Sequence, residues 1–97
     1  MSSDASLDRS LHAIADPTRR RILQVLKNGK GSELRPGYLC GGEIEERIRL
    51  SQPTISHHMG ILTKAGLVEA TKQGQWRWYR RNEKAIRQVV KNLRGKL

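Results

Sequence analysis

The run Ser51-Gln52-Pro53-Thr54-Ile55-Ser56-His57-His58 concentrates small and medium polar side chains with almost no formal charge. A Gln carboxamide can pair with both polar atoms of an adenine edge. Thr54 and Ser56 hydroxyls donate or accept, and imidazoles reach bases or phosphates. Such chemistry needs a rigid element that carries it into a groove. Ser51 is a good N-cap and Pro53 suits a first helical turn. The helix they open is expected to run to about Lys64 with Ile55, Met59 and Leu62 inward, ended by Ala65-Gly66. A shorter helix, Glu43–Leu50, precedes it with Ile44 and Ile48 on one face. Two helices joined by a tight turn make a helix-turn-helix, in which the first braces the second.

Other reactive residues are sparse. Cys40 is the single cysteine, so no internal disulfide framework exists. The three histidines (His12, His57, His58) do not form a ligand set for a metal, and one thiol makes a poor soft-metal site. Neither a Ser/His/Asp set, nor paired carboxylates, nor a Gly-rich phosphate loop is present, which argues against an enzyme. No cofactor is expected.

The surrounding elements follow from periodicity and punctuation. Leu7, Leu11, Ile14 and Ala15 recur at helical spacing and define a first amphipathic helix. Asp16 and Pro17 read as N-cap and first turn of a second helix, with Ile22, Leu23 and Leu26 inward and Gly29 near its end. Asn28–Gly42 holds five glycines and one proline and reads as a long loop. Leu67–Thr71 and Gln75–Arg81 read as two strands of a hairpin around Gln73-Gly74. Trp76, Trp78 and Arg80 alternate with Arg77, Tyr79 and Arg81, and hairpin packing accounts for the tryptophan pair better than base stacking. Asn82 caps a last helix with an apolar stripe of Ala85, Ile86, Val89, Val90 and Leu93. The expected fold class is therefore mainly α with a small β-hairpin wing, in the order helix–helix–helix–helix–β-hairpin–helix, as a single domain over residues 1–97.

Charge supplies the partner. The chain of 97 residues carries a net charge of +10 and is 36% hydrophobic with no Phe. Residues 71–97 hold nine Lys/Arg against Glu83 alone, and residues 17–30 hold five with no acid, while 31–70 is nearly neutral. Two basic segments flanking a neutral reading helix divide the labour between phosphate grip and base readout. Arg19, Arg20 and Arg21 sit at a helix N-terminus, where cations oppose the macrodipole, and a phosphate partner would explain them. A membrane surface fits less well, because no amphipathic helix has an aromatic-rich apolar face. Met1–Asp16 lacks a signal-peptide pattern and no segment is long enough to span a bilayer, so a cytoplasmic location is the default expectation. A core this small gains from pairing with a second copy, and the apolar stripes of the first and last helices are the expected seam: Leu7, Leu11, Ile14, Ile86, Val89, Val90 and Leu93.

Four stretches also resemble one known family. Ala15-Asp16-Pro17-Thr18-Arg19-Arg20-Arg21-Ile22-Leu23, then Leu50–Met59, then Ala65-Gly66-Leu67-Val68 and Gly74-Gln75-Trp76-Arg77-Trp78-Tyr79-Arg80 are similar, in the same order, to the ArsR family of repressors. The resemblance implies a winged helix-turn-helix, a homodimer formed by the first and last helices, and binding to inverted-repeat double-stranded DNA operators. It assigns Ser51–His58 to the recognition helix and Gln73-Gly74-Gln75 to the wing tip. The DNA-contacting set is then Ser51, Gln52, Thr54, Ser56, His57 and His58 from the helix, with Arg19, Arg20, Lys72, Gln75 and Arg77 around it.

Many such proteins sense metals. One of their sites is a Cys-x-Cys pair before the recognition motif; here Cys40 occupies the first position and Gly42 the second. The other places Asp, His and Glu on the last helix, which here has no His and carries Lys84, Arg87 and Lys91. No metal site is expected. The chain is closer in pattern to metal-independent autorepressors of the SdpR type, which share a Gly-Glu-Ile run (Gly42-Glu43-Ile44), and departs from them in the longer loop Lys30–Leu39. Two alternatives remain: a winged-helix module for RNA or a protein partner, and a thiol- or metal-responsive sensor using Cys40. In the first, the wing and basic face would do the binding, because the A-form major groove excludes a helix.

Overall fold

The computed structural model describes residues 2–28 and 31–97. The predicted helix end at Gly29 and the cation Lys30 lie outside the described residues. Five helices and three short strands follow in the order α1 (Ser2–Ala15), α2 (Pro17–Asn28), β1 (Leu39–Cys40), α3 (Gly41–Ile48), α4 (Gln52–Lys64), β2 (Val68–Gln73), β3 (Trp76–Arg81) and α5 (Glu83–Lys96).

The break between α1 and α2 is made by Asp16, whose carboxylate accepts from the Arg19 backbone N–H at 3.0 Å, with Pro17 opening the helix. Ala13, Ile22, Ile44, Ile48, Ile55, Met59 and Leu62 from the first four helices meet Leu39, Leu67, Val68 and Tyr79 from the sheet and its approaches in one core. Asn82 caps α5 by accepting from the Ala85 N–H at 3.0 Å. No residue of α5 is buried, although its apolar residues repeat at helical spacing. Among the described residues, no helix is long and apolar enough to cross a membrane.

The predicted loop over 28–42 contains more order than its glycines suggest. Leu39 and Cys40 form a strand against β3, opposite Tyr79 and Trp78, which turns the hairpin into a three-stranded antiparallel sheet ordered β1-β3-β2. Two residues cannot show an alternation, so periodicity could not reveal this strand. Ahead of it, the Ser32 N–H donates to the Tyr38 carbonyl at 2.6 Å, and Gly31 and Gly37 take positive φ of 84° and 86°. The Tyr38 ring lies between the guanidinium groups of Arg35 and Arg80, 4.3 and 5.2 Å from its centroid.

Boundaries differ from expectation at two further places. The helix predicted over Glu43–Leu50 starts at Gly41 and ends at Ile48, because the Glu43 carboxylate accepts from the Cys40 N–H at 3.0 Å and Arg49 closes the helix at a left-handed φ of 64°. The wing turns at Gly74-Gln75 instead of Gln73-Gly74. Gly74, with φ of 62°, takes the first loop position, where glycine is favoured in a two-residue hairpin.

Candidate nucleic-acid interface

Helix α4 is anchored by Ile55, Met59 and Leu62, which leaves its other faces to solvent. Ser51, Gln52, Thr54, Ser56 and His57 are exposed and His58 is half-buried. The exposed groups are lightly held: Ser51 Oγ and Thr54 Oγ1 are 3.0 Å apart, and Gln52 Nε2 donates to Ser56 Oγ at 3.4 Å. Both contacts follow the three- and four-residue spacing of one helix face. Ser51 holds the N-cap position without a side-chain bond to the helix backbone.

The wing stands beside this end of α4. A groove of about 410 Å³ lies between them, lined by Gln52, Ile55 and Ser56 of α4, by Gln75, Trp76, Arg77 and Tyr79 of the wing, and by Cys40, Gly41, Gly42 and Glu45 of β1 and α3. Lys72 faces Arg77 across the strands, and Lys72, Gln75 and Arg77 are all exposed. Among the described residues neither Lys72 nor Arg77 has a carboxylate partner, whereas Arg80 pairs with Glu69 at 3.4 Å and Arg81 with Glu83 at 2.9 Å. Arg81 also donates to the Leu23 carbonyl at 3.1 Å, tying the sheet to α2. Trp76 and Trp78 stack with centroids 5.8 Å apart and planes 14° from parallel. This is hairpin packing, with Trp78 buried and Trp76 half outside.

The arginines of α2 must be reassigned. Arg19 is only 7% exposed. Its Nε donates to the Ala13 carbonyl at 2.7 Å, its Nη2 to the His12 carbonyl at 3.0 Å, and its Nη1 lies 3.1 Å from His58 Nδ1. Such a group does not offer itself to a phosphate. Arg20 is exposed, but its Nη1 donates to the carbonyls of Ile14 and Ala15 at 2.7 and 2.9 Å. The acceptors nearest these arginines are backbone ones: α1 ends at Ala15, with only Asp16 before α2 begins at Pro17, and its last carbonyls lack helical partners. Arginines near a helix C-terminus satisfy those carbonyls directly.

The expected dimer face is also redistributed. Leu7 is 7% exposed, buried within the single chain, so it has little surface to give a partner. Leu11, Ile14, Ile86, Val89 and Leu93 are half-buried and Val90 is 63% exposed. The unpartnered stripe thus belongs mainly to α5.

Cys40 is buried, and burial pushes its thiol above the ordinary range. No group of three or more His, Cys, Asp or Glu that could hold a metal occurs among the described residues.

A helix-turn-helix whose second helix exposes neutral hydrogen-bonding groups beside a cationic wing defines a DNA-binding winged helix-turn-helix. Comparison with known proteins gives the family. Residues 16–70 match "Bacterial regulatory protein, arsR family", and the chain belongs to that family of transcription regulators. It is 38% identical over 79 residues, 81% of each chain, to an uncharacterised HTH-type transcriptional regulator of Methanocaldococcus jannaschii. It is 36% identical to the transcriptional repressor SdpR of Bacillus subtilis, over 80% of this chain and 78% of that one. To an arsenical resistance operon repressor of Staphylococcus aureus it is 33% identical, over 90% and 76%. Among solved structures, the homodimeric winged helix-turn-helix DNA-binding domain of a possible ArsR-family regulator from Mycobacterium bovis superposes with a TM-score of 0.73. That match has 24% identity and covers 92% of this chain and 76% of that one.

Proposed function

We propose that this chain is a transcription repressor that binds an inverted-repeat operator as a homodimer and releases it without a metal effector. The observation that carries this reading is the groove where Gln52 and Ser56 of α4 face Gln75 and Arg77 of the wing. Base-edge readers and a phosphate-seeking cation share one concave surface. Ser51, Gln52, Thr54, Ser56, His57 and His58 present the reading face, and Lys72, Gln75 and Arg77 flank it. The whole of residues 1–97 acts as one DNA-binding domain, with α1 and α5 supplying the two-fold seam, and it works in the cytoplasm where its DNA is.

The dimer follows from energetics as well as symmetry. In the α5 stripe Ile86 and Val89 pack half-buried against the core while Val90 stays exposed, and a second copy of α5, self-complementary to the stripe, covers what the core leaves outside. Two reading heads then face two half-sites about one helical turn apart. Val90→Asp puts a charge in that seam without touching the core, so it should yield a folded monomer with lost operator affinity, seen by sedimentation and DNA titration. A Val90→Asp protein that sediments as a dimer removes this seam.

Metal independence rests on the donor chemistry. Cys40 is buried beside Trp78 with no second thiol, and Gly42 supplies no ligand.

Selection of bound duplexes from a random pool tests the whole reading. A palindromic consensus is expected, with affinity falling about 10³–10⁵-fold between 50 and 200 mM salt if six to ten phosphates are neutralised. Zinc and arsenite should leave that affinity within about tenfold. Absence of any duplex consensus, or a preference for RNA, overturns the proposal. Tight metal-dependent release that vanishes in Cys40→Ser overturns its metal-independent part.

A further inference from the structure

Arg19 and His58 meet where α1, α2 and α4 converge. A guanidinium has only donors, so the 3.1 Å contact between Arg19 Nη1 and His58 Nδ1 has one possible polarity. His58 Nδ1 accepts and is therefore unprotonated, and the ring proton resides on Nε2. The geometry leaves Arg19 little freedom, since Nε and Nη2 are held by the Ala13 and His12 carbonyls. No buried side-chain nitrogen or oxygen lacks a hydrogen-bond partner among the described residues. His58 Nε2 makes no hydrogen bond among them, so on this half-buried residue it is not fully enclosed.

We propose that Arg19 is a positioning residue for recognition: it fixes His58 as the neutral Nε2–H tautomer, so that α4 presents a single hydrogen-bond donor there to an acceptor on DNA. The inference rests on the assignment of α4 to DNA, although the tautomer itself does not. The acceptor is a lone-pair oxygen or nitrogen, offered either by a phosphate or by a purine edge. Because the same guanidinium holds the end of α1, the donor is placed relative to the dimer seam as well as to α4. The charged and titratable groups around His58 are Arg19 and Asp16 from the helix junction and His57 from α4 itself.

The test has two arms on the full chain. The first is ¹⁵N NMR of the imidazoles without DNA, at neutral pH. The Nε2–H tautomer is expected for His58; a proton on Nδ1, or an even mixture, overturns the proposal. The second compares His58→Asn and His58→Gln for binding to the selected operator and to an unrelated duplex. Asn keeps an acceptor near the Nδ1 place and deletes the outer donor, whereas Gln keeps the outer donor and deletes the inner acceptor. His58→Asn should lose about tenfold in affinity, and His58→Gln, which keeps the donor but not the Arg19 bond that fixes it, should recover only part of that loss. The reverse order would mean that His58 serves only to receive Arg19, and equal effects overturn the proposal too. A loss confined to the operator identifies a base acceptor, and a loss on both duplexes a phosphate. A wild-type chain that selects no duplex overturns the DNA reading itself, whatever its tautomer. Variants that fail to separate on a confirmed operator overturn this inference alone.

Discussion

Two cationic regions look alike in the sequence and do opposite work in the fold. At the start of α2, buried Arg19 and exposed Arg20 donate to four carbonyls at the end of α1. On the wing, Lys72 and Arg77 stand opposite one another across the hairpin, exposed and, among the described residues, without a carboxylate partner. The difference lies in what each cation finds within reach. A helix that stops one residue before its successor begins leaves orphan carbonyls beside the next helix's first turn. A β-hairpin satisfies its own backbone through the ladder, so its cations turn to carboxylates within reach, as Arg80 and Arg81 do, and Lys72 and Arg77 are left over. Charge density alone cannot distinguish a structural arginine from a phosphate-binding one; the local supply of unpaired acceptors can.

The largest effect that separates the two regions is on stability. Arg19→Met keeps much of the aliphatic volume but strips the donors from the His12 and Ala13 carbonyls. At about 1–3 kcal/mol for each acceptor left unpaired, the two carbonyls together should cost roughly 2–6 kcal/mol, read from the urea midpoint at unchanged m. Arg77→Ala, an exposed change without a native partner, should stay within about 0.5 kcal/mol. Equal losses in the two variants would break the comparison.

The next effects are on binding and invert the order. Gln52→Ala should cost about 1–3 kcal/mol on the selected operator and relax preference at one position per half-site. Arg77→Ala should weaken all duplexes alike and reduce the salt slope by about one contact per protomer. If Gln52→Ala binds every sequence as before, α4 does not read the groove. Should Arg77→Ala leave the salt slope untouched, the wing's cations do not grip phosphate.

Much of this arrangement was legible in the sequence because it rests on long, periodic elements with strong punctuation. Asp16-Pro17, Ser51 with Pro53, Ala65-Gly66 and Asn82 mark the starts and stops of helices through backbone chemistry that is local. The recognition helix and its core side, Ile55, Met59 and Leu62, follow from one helical period. What stayed hidden is non-local. The strand Leu39–Cys40 exists only because β3 offers a free edge. The Tyr38 ring seated between Arg35 and Arg80 joins residues far apart in the chain. Burial of Leu7 within the single chain depends on how α1 packs, which a periodic stripe cannot tell from a dimer seam. The Arg19 assignment was within reach, however, since both the end of α1 at Ala15 and the first turn of α2 were already placed. The missing step was to ask where the last carbonyls of α1 find donors.

The smallest expected effect is a pH-dependence of stability that belongs to the inner region alone. His58 titrates below the ordinary 6.5 of a histidine, mainly because burial disfavours the charged ring, with Arg19 and His57 acting in the same direction and Asp16 against them. The folded chain therefore holds less proton at this site than the unfolded chain, and stability rises with pH across that interval. The contribution is present above pH 6.5 and is lost as pH falls from there through the lower folded value. Glu43 is lowered as well: although burial opposes this, its bonds to Cys40 and Ser32 and the nearby Arg47 charge outweigh it. Asp16 is lowered chiefly by its bond to the Arg19 N–H. Both carboxylates add a later loss, in the acid range below about 4.5. Urea midpoints taken from pH 7.5 downward should show a shallow first decline in the histidine range and a steeper one in the carboxylate range. His58→Gln should flatten the first decline and keep the second. Arg77→Ala should leave both declines where they are, because the wing takes no part in the junction. A first decline that survives His58→Gln would assign it to another group and uncouple Arg19 from the recognition helix.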